Sequence, residues 1–373
     1  MLDMIVHMNT AGSGIIHAST HEVMRDYLFS EFKIGSYETE LKYESILNNE
    51  VYNNCAKLMN CDPENVALFT SATDAWVNII RMLRIKEKSE IWISDSEYAA
   101  NIIYFSFLSN KYNLKLRRIP SSSNFTIDLE WMKNNLSDNV SIVSITHMPS
   151  CCGIINPIEE IGEILKNKDV TYIVDACQSI GQLPIDVKKI QCDLLTGASR
   201  KFISGPRGVG FAFVSKKLSR KLSYDFFDLH VGYTDNFNKC LIVNSAKSFE
   251  KAERSLVSIY GFNNALKLRI NDSDYNNKNF VFFLEELKKI KSVKILFPDS
   301  SIQGIAAFQF KNCSASDGVK KLRTQGINLW EGTAQHTPFL APHMLHSKFV
   351  RASFDKNLSI HDIEIALNAI REI

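Results

Sequence analysis

The sequence predicts an α/β domain built on a mostly parallel sheet, followed by a smaller α+β unit. Through the middle of the chain, short apolar runs alternate with amphipathic stretches of helical spacing, the pattern of strand and helix in turn. From about residue 239 that alternation gives way to a long helical stretch and then to separate strands between helices. A length of 373 residues is enough to bury a sizeable core in two domains or one large one.

Taken in order, "EIWIS" (90–94), "KLRRIP" (115–120), "SIVSITH" (141–147), "VTYIVDA" (170–176), "CDLLTGA" (192–198) and "GVGFAFVS" (208–215) read as strands. Between them "AANIIYFSFLSNKY", "DLEWMKNNL" and "PIEEIGEILKNK" read as helices. In such sheets ligands collect beyond the carboxyl ends of the strands. The stretch "AKSFEKAERSLVSIYGFNNALKL" reads as one long helical segment. It leads to strands in "VKILFPD", "IAAFQF" and "FVRASFD" and helices in "SASDGVKKLRTQG" and "SIHDIEIALNAIREI". The division is expected at 238/239, with residues 14–238 in the large unit and 239–373, joined by 1–13, in the small one.

Composition narrows the function classes. Apolar residues make up 45% and charged residues 23%, ordinary values for a globular protein. A net charge of +2, with Lys and Arg spread in short clusters, argues against nucleic acid or an anionic membrane as the main partner. No apolar run is long enough to span a bilayer, and "MLDMIVHMNTAGSG" lacks the features of a signal peptide. The eight cysteines are scattered without CxxC pairs, so neither a metal site nor a disulfide framework is expected. A reducing cytoplasm fits best.

Asp175 ends an apolar strand, where a carboxylate is costly without a partner. A helix cap or an ion pair would account for it alone. Some twenty-five residues on, another strand ends in "TGASRK", which delivers Lys201 beside Arg200 and ahead of Gly205-Pro206-Arg207-Gly208. An acid and a lysine on neighbouring strand ends are what pyridoxal phosphate chemistry requires. The lysine holds the aldehyde, and the acid keeps the pyridine nitrogen protonated so that the ring draws electrons.

Around that pair stand "FTSATDAW", "SDSEYAANII", "THMPSCCGIINPIEEI", "DACQSIGQLPIDV", "ASRKFISGPRGVGF" and "FVRASFD", in this order. In these segments the chain resembles the class V aminotransferase family of fold-type I pyridoxal phosphate enzymes, which includes cysteine desulfurases. The resemblance spans almost the whole sequence. It implies a large domain with a mostly parallel seven-stranded sheet, a smaller C-terminal domain, pyridoxal 5'-phosphate as cofactor and a homodimer. It further implies that Lys201 forms the Schiff base and that Asp175 meets the pyridine nitrogen. Gln178 and Ser150 lie beside the ring oxygen, and Tyr98 stacks on the ring in the place where histidine is common. Ala72, Thr73 and Arg200 contact the phosphate, and Arg351 clamps the substrate carboxylate.

Some positions depart from the family pattern. Ala198 stands where relatives carry a phosphate-binding hydroxyl, leaving Ser199 as a substitute. Ser255 is the nearest match to a phosphate ligand that relatives supply from the partner subunit. The loop that holds the nucleophilic cysteine of desulfurases matches "GINLWEGTAQHTPF", with Gln335 in its place and no cysteine after Cys313. Cys151 and Cys152 read as apolar filling. Persulfide formation is therefore not expected.

The segments "SEYAAN", "THMPSCCGIINP" and "RKFISGPRGVGF" look most like the branch of hercynylcysteine sulfoxide lyases and isopenicillin N epimerase-like enzymes. The reading is a C–S lyase that eliminates from an S-substituted cysteine or its sulfoxide and yields pyruvate and ammonia. Asp175, Lys201 and Arg351 suffice for this, with Tyr98 or His336 as proton donor. The same residues would serve a class V aminotransferase or an epimerase. A non-catalytic protein of the same fold is a further alternative, opposed by the presence of both Lys201 and Asp175.

Overall fold

Valine, isoleucine, leucine and phenylalanine runs bounded by turn residues form the strands of the larger sheet, and most are buried along their whole length, as a sheet covered on both faces requires. The computed structural model describes residues 6–226, 228–236, 239–272, 274–297, 302–340 and 348–373. The sheet comprises β1 (Val66–Phe69), β2 (Glu90–Ser94), β3 (Lys115–Ile119), β4 (Val140–Thr146), β5 (Thr171–Asp175), β6 (Leu194–Ala198) and β7 (Gly210–Val214). Its order is β1-β7-β6-β5-β4-β2-β3. Only β7 runs against its neighbours, pairing antiparallel with both β1 and β6. The edge strand β3 carries Lys115, Arg117 and Arg118, charges that protect an edge from further pairing.

Helices cover both faces. On one side Trp76 and Ile79 of α2 (Ala72–Arg81) and Phe105 of α3 (Ala99–Tyr112) pack with Ile91 and Ile173. On the other, Trp92, Val143, Tyr172 and Phe211 form a second core with Tyr27 of α1 (Ala18–Ile34). Ile259, Phe262, Ala265 and Leu266 of α4 (Leu256–Asn271) belong to this same core. The segment expected as one long helix is thus divided. A short 3-10 turn at Ala246–Phe249 precedes Glu250–Ser255, and the helix proper starts at Leu256 and packs with the larger sheet.

A second sheet places Val293–Ile295, Ile305–Phe310, Phe349–Ser353 and Trp330–Gly332 side by side, all antiparallel. Phe283, Val319 and Leu367, from three helices, cover it in a separate core. The N-terminal residues join this unit, since Val6–His7 pair in parallel with Ile327–Asn328.

Candidate active site

A cavity of about 340 Å³ opens at the carboxyl ends of the parallel strands, where strand dipoles end and loops diverge. Ala72, Thr73, Tyr98, Ser150, Asp175, Gln178, Arg200 and Lys201, all named from the sequence, line it together.

One end is built for an anion. The chain leaves β1 and turns at once into α2, where the Ser71 hydroxyl caps the helix by accepting from the Asp74 N–H at 3.0 Å. That leaves the first-turn N–H groups of Ala72 and Thr73 directed at the cavity end, the arrangement that binds phosphate at helix N-termini. Gly210 makes the turn possible, because a Cβ there would overlap the Ser71 carbonyl carbon and the Ala72 nitrogen. Gly208 precedes it with φ +85°, a conformation costly for other residues. Arg200 also lines this end. Burial lowers its proton affinity first, and the neighbouring Arg207 guanidinium lowers it further. Arg207, on the cavity rim, was not given a role from the sequence. Two guanidiniums that repel each other are relieved by an anion between them.

Ser199 does not line the cavity. Its side chain is fully buried and its Oγ faces Gly205, where a Cβ would collide with it, while Ala198 lines the cavity. Residues alternate direction along an extended chain, so one position separates a wall residue from a core residue. Ser255 sits at the start of α4, outside the cavity wall, with its hydroxyl donating to Ser258 at 2.8 Å.

The opposite end holds the carboxylate. Asp175 Oδ1 accepts from the Cys177 N–H at 2.9 Å, and Oδ2 accepts from the Asn101 side chain at 3.3 Å. Lys201 faces it with no hydrogen-bond partner for its amine among the described residues. Burial pushes the lysine below its ordinary value; Cys177 and Asp175 oppose that shift, whereas Arg200 and Arg351 reinforce it. The Gln178 side-chain N–H donates to the Ala11 carbonyl at 3.1 Å, leaving its buried Oε1 without a partner.

Arg351 lies beside this chamber. It is 8% exposed, donates to the Ser150 carbonyl at 2.8 Å and to Asn9 Oδ1 at 2.9 Å, and leaves its Nε unpartnered. Burial pushes it down to about 10, with Arg200 adding to the shift. Asn9, which aims this side chain, was missed because "NTAG" reads equally well as a turn. Tyr98 and His336 hold their rings parallel, 6.5 Å apart between centroids. Burial, then Asp175 and Cys177, raise the Tyr98 hydroxyl. Burial and Arg351 lower His336. Cys151 and Cys152 are buried in the core of the C-terminal unit, with sulfurs 3.8 Å apart. Gln335 occupies the short turn Ala334–His336, and the loop residues 341–347 lie outside the described residues.

With this geometry in place, residues 11–365 match the family described as aminotransferase class-V. The chain belongs to that family. Among its class-V relatives, a probable cysteine desulfurase of Borreliella burgdorferi is 26% identical over 312 residues, a match covering 79% of this chain and 74% of that protein. The fold is similar to that of a C-DES variant with glycine covalently linked to its PLP cofactor. The TM-score is 0.89 at 18% identity, covering 100% of this chain and 97% of that one. It is equally similar to the cystine C–S lyase C-DES in complex with its product cysteine persulfide, with a TM-score of 0.87 at 18% identity, covering 100% and 98%.

The class-V residues present fit pyridoxal phosphate. Backbone N–H groups and two guanidiniums wait at the phosphate end, and an ionisable carboxylate waits at the ring-nitrogen end. The unpartnered Gln178 oxygen can accept from a ring hydroxyl, and an unpaired amine stands within the same cavity. No helix among the described residues is long and apolar enough to cross a membrane. No cluster of potential metal ligands occurs among them.

Proposed function

We propose that this chain is a pyridoxal phosphate enzyme that cleaves the Cβ–S bond of an S-substituted cysteine or cysteine sulfoxide. The observation that carries the reading is the convergence of Lys201 and Asp175 on one cavity beside the half-satisfied Arg351, with no cysteine on the matching C-terminal loop. The likeness to desulfurases and to a cystine C–S lyase supports chemistry at a carbon–sulfur bond.

The bound cofactor supplies an electron sink conjugated to the substrate Cα. Asp175 holds a positive charge at the ring nitrogen and so deepens that sink. Arg351, pre-aimed by Asn9 and the Ser150 carbonyl, offers its remaining N–H groups to the α-carboxylate. Lys201, its proton affinity reduced by burial, is the base placed to take the Cα proton. Tyr98 keeps its proton in the same range and delivers it to the departing sulfur. The balance for a sulfoxide is one sulfenic acid released and one aminoacrylate, which takes up water to give pyruvate and ammonia. Ala72, Thr73, Arg200 and Arg207 hold the phosphate throughout.

Phe29, Phe32, Tyr37 and Leu41, exposed on α1 and the helix after it, offer an apolar surface to a second copy, in support of a homodimer. Purified protein loaded with pyridoxal phosphate should form pyruvate and ammonia from S-substituted cysteines or their sulfoxides without added keto acid. Products that appear only with a keto acceptor would assign the site to transamination instead.

A further inference from the structure

Behind Asp175 lies a second carboxylate that the proposed reaction does not use. Glu97 is fully buried, which is costly unless its oxygens are satisfied. Its Oε1 accepts from the Tyr98 N–H at 3.0 Å, the Asn101 side chain at 2.8 Å and the Thr146 hydroxyl at 2.7 Å. Its Oε2 accepts from the Ser144 hydroxyl at 3.2 Å. These partners are neutral donors, and no cation pairs with Glu97 among the described residues. Burial raises its proton affinity, the Thr146, Asn101 and Tyr98 donors oppose that, and the nearby Asp175 charge adds to it.

Asn101 joins the two acids. It follows Glu97 by four positions and lies in the first turn of α3, while Glu97 stands just ahead of the cap residue Tyr98. A side-chain amide has two N–H bonds. One points to Glu97 at 2.8 Å and the other to Asp175 Oδ2 at 3.3 Å. The reversed amide would set its carbonyl oxygen against two carboxylates, so the acceptors fix its orientation. Two neighbouring carboxylates repel each other. The amide between them gives Asp175 a donor on the side where it would otherwise feel only repulsion.

We propose that Glu97 and Asn101 are positioning residues for Asp175: Glu97 locks the Asn101 amide so that it donates to Oδ2 and holds that carboxylate aimed at the ring nitrogen of the cofactor. The Cys177 N–H restrains the other oxygen. This inference rests on the cofactor reading above.

Asn101→Leu, which keeps the branched shape, removes both N–H bonds. The visible band of the Lys201-bound cofactor reports protonation of that linkage, and a positive ring nitrogen lowers its proton affinity. The variant holoenzyme should therefore titrate about one pH unit higher than the wild type. Its kcat should fall about tenfold, with KM for the amino acid, set by Arg351, little changed. The groups that face the Lys201 amine, Asp175, Cys177, Arg200 and Arg351, are the same in both proteins. Glu97→Gln, which frees the Asn101 amide to turn, should shift the midpoint in the same direction. If Asn101→Leu does not fold, Asn101→Ser serves, since one hydroxyl hydrogen cannot reach both acids. An unchanged midpoint in a folded, cofactor-loaded variant overturns the inference. Wild-type protein that takes up no cofactor overturns the reading beneath it instead.

Discussion

Replacing Arg351 by leucine tests the carboxylate clamp, and its effect can be worked from the contacts around the guanidinium. Two donor positions are already committed, to the Ser150 carbonyl and to Asn9, so a substrate carboxylate meets Nε and the free N–H bonds of a side chain that cannot swing away. A hydrogen bond to a charged group contributes about 1.5–3 kcal/mol, so a two-point contact contributes about 3–6 kcal/mol. At 1.4 kcal/mol per decade this predicts a loss of about 10²–10⁴ in kcat/KM for Arg351→Leu, most of it in KM. The Ser150 carbonyl and Asn9 would also lose their donor, at a cost of about 1–3 kcal/mol each in stability. Steady-state kinetics at several substrate concentrations, with thermal melts of the same preparations, measures both. A substrate amide in place of the acid provides the control, as it should penalise the wild type and leave the variant nearly unaffected. A loss below about tenfold, or one confined to kcat with KM unchanged, refutes the assignment.

Other outcomes follow from the same geometry. Lys201→Ala should abolish turnover while circular dichroism and melting stay near wild type, and substantial turnover would remove the Schiff-base role. Gly210→Ala must displace the Ser71–Ala72 backbone, so cofactor affinity measured by absorbance titration should drop about tenfold or more; unaltered affinity would exclude that turn as the phosphate anchor. His147, buried against Ser179, is pushed down to about 4 from 6.5 by desolvation alone. Its neutral form stabilises the fold fully above pH 6.5, and that contribution is lost progressively as pH falls toward 4, about 3 kcal/mol in all. Chemical denaturation across this range should show a shallower decline for His147→Asn than for the wild type, and parallel declines would contradict the argument.

Strands β2 and β4 to β7 were legible because apolar runs between turn residues leave little alternative, while the charged β3 was read from its place in the alternation of strand and helix. β1 was not read as a strand, since its four residues stand directly before a motif that drew attention to the following turn. The division before α4 escaped because "EKAERS" has good helix formers throughout, while the fold spends Glu250 on the buried Tyr52 hydroxyl and the Leu68 N–H. At the site, Lys201 and Asp175 announced themselves by chemistry placed at strand ends. Which side of the backbone the Ser199 hydroxyl takes was not legible, because register settles it. Glu97 and Asn101 could have been found from their places on either side of Tyr98 at a helix start, but an acid and an amide so placed also describe many exposed helix starts. Asn9 and Arg351 are far apart in sequence, and only tertiary packing brings them together.

The antiparallel strand β7 has a consequence for how the molecule matures. It leaves the Lys201 loop and runs back to lie against β1, so the glycine turn reaches the first residues of α2 only after this strand has inserted. Closure of so long a loop is an entropically late event in folding. A ligand that needs both the lysine and the helix start can bind only the closed sheet, and it then shifts the balance toward that sheet by mass action. Cofactor supply during synthesis would thus govern the yield of folded chain as well as its activity.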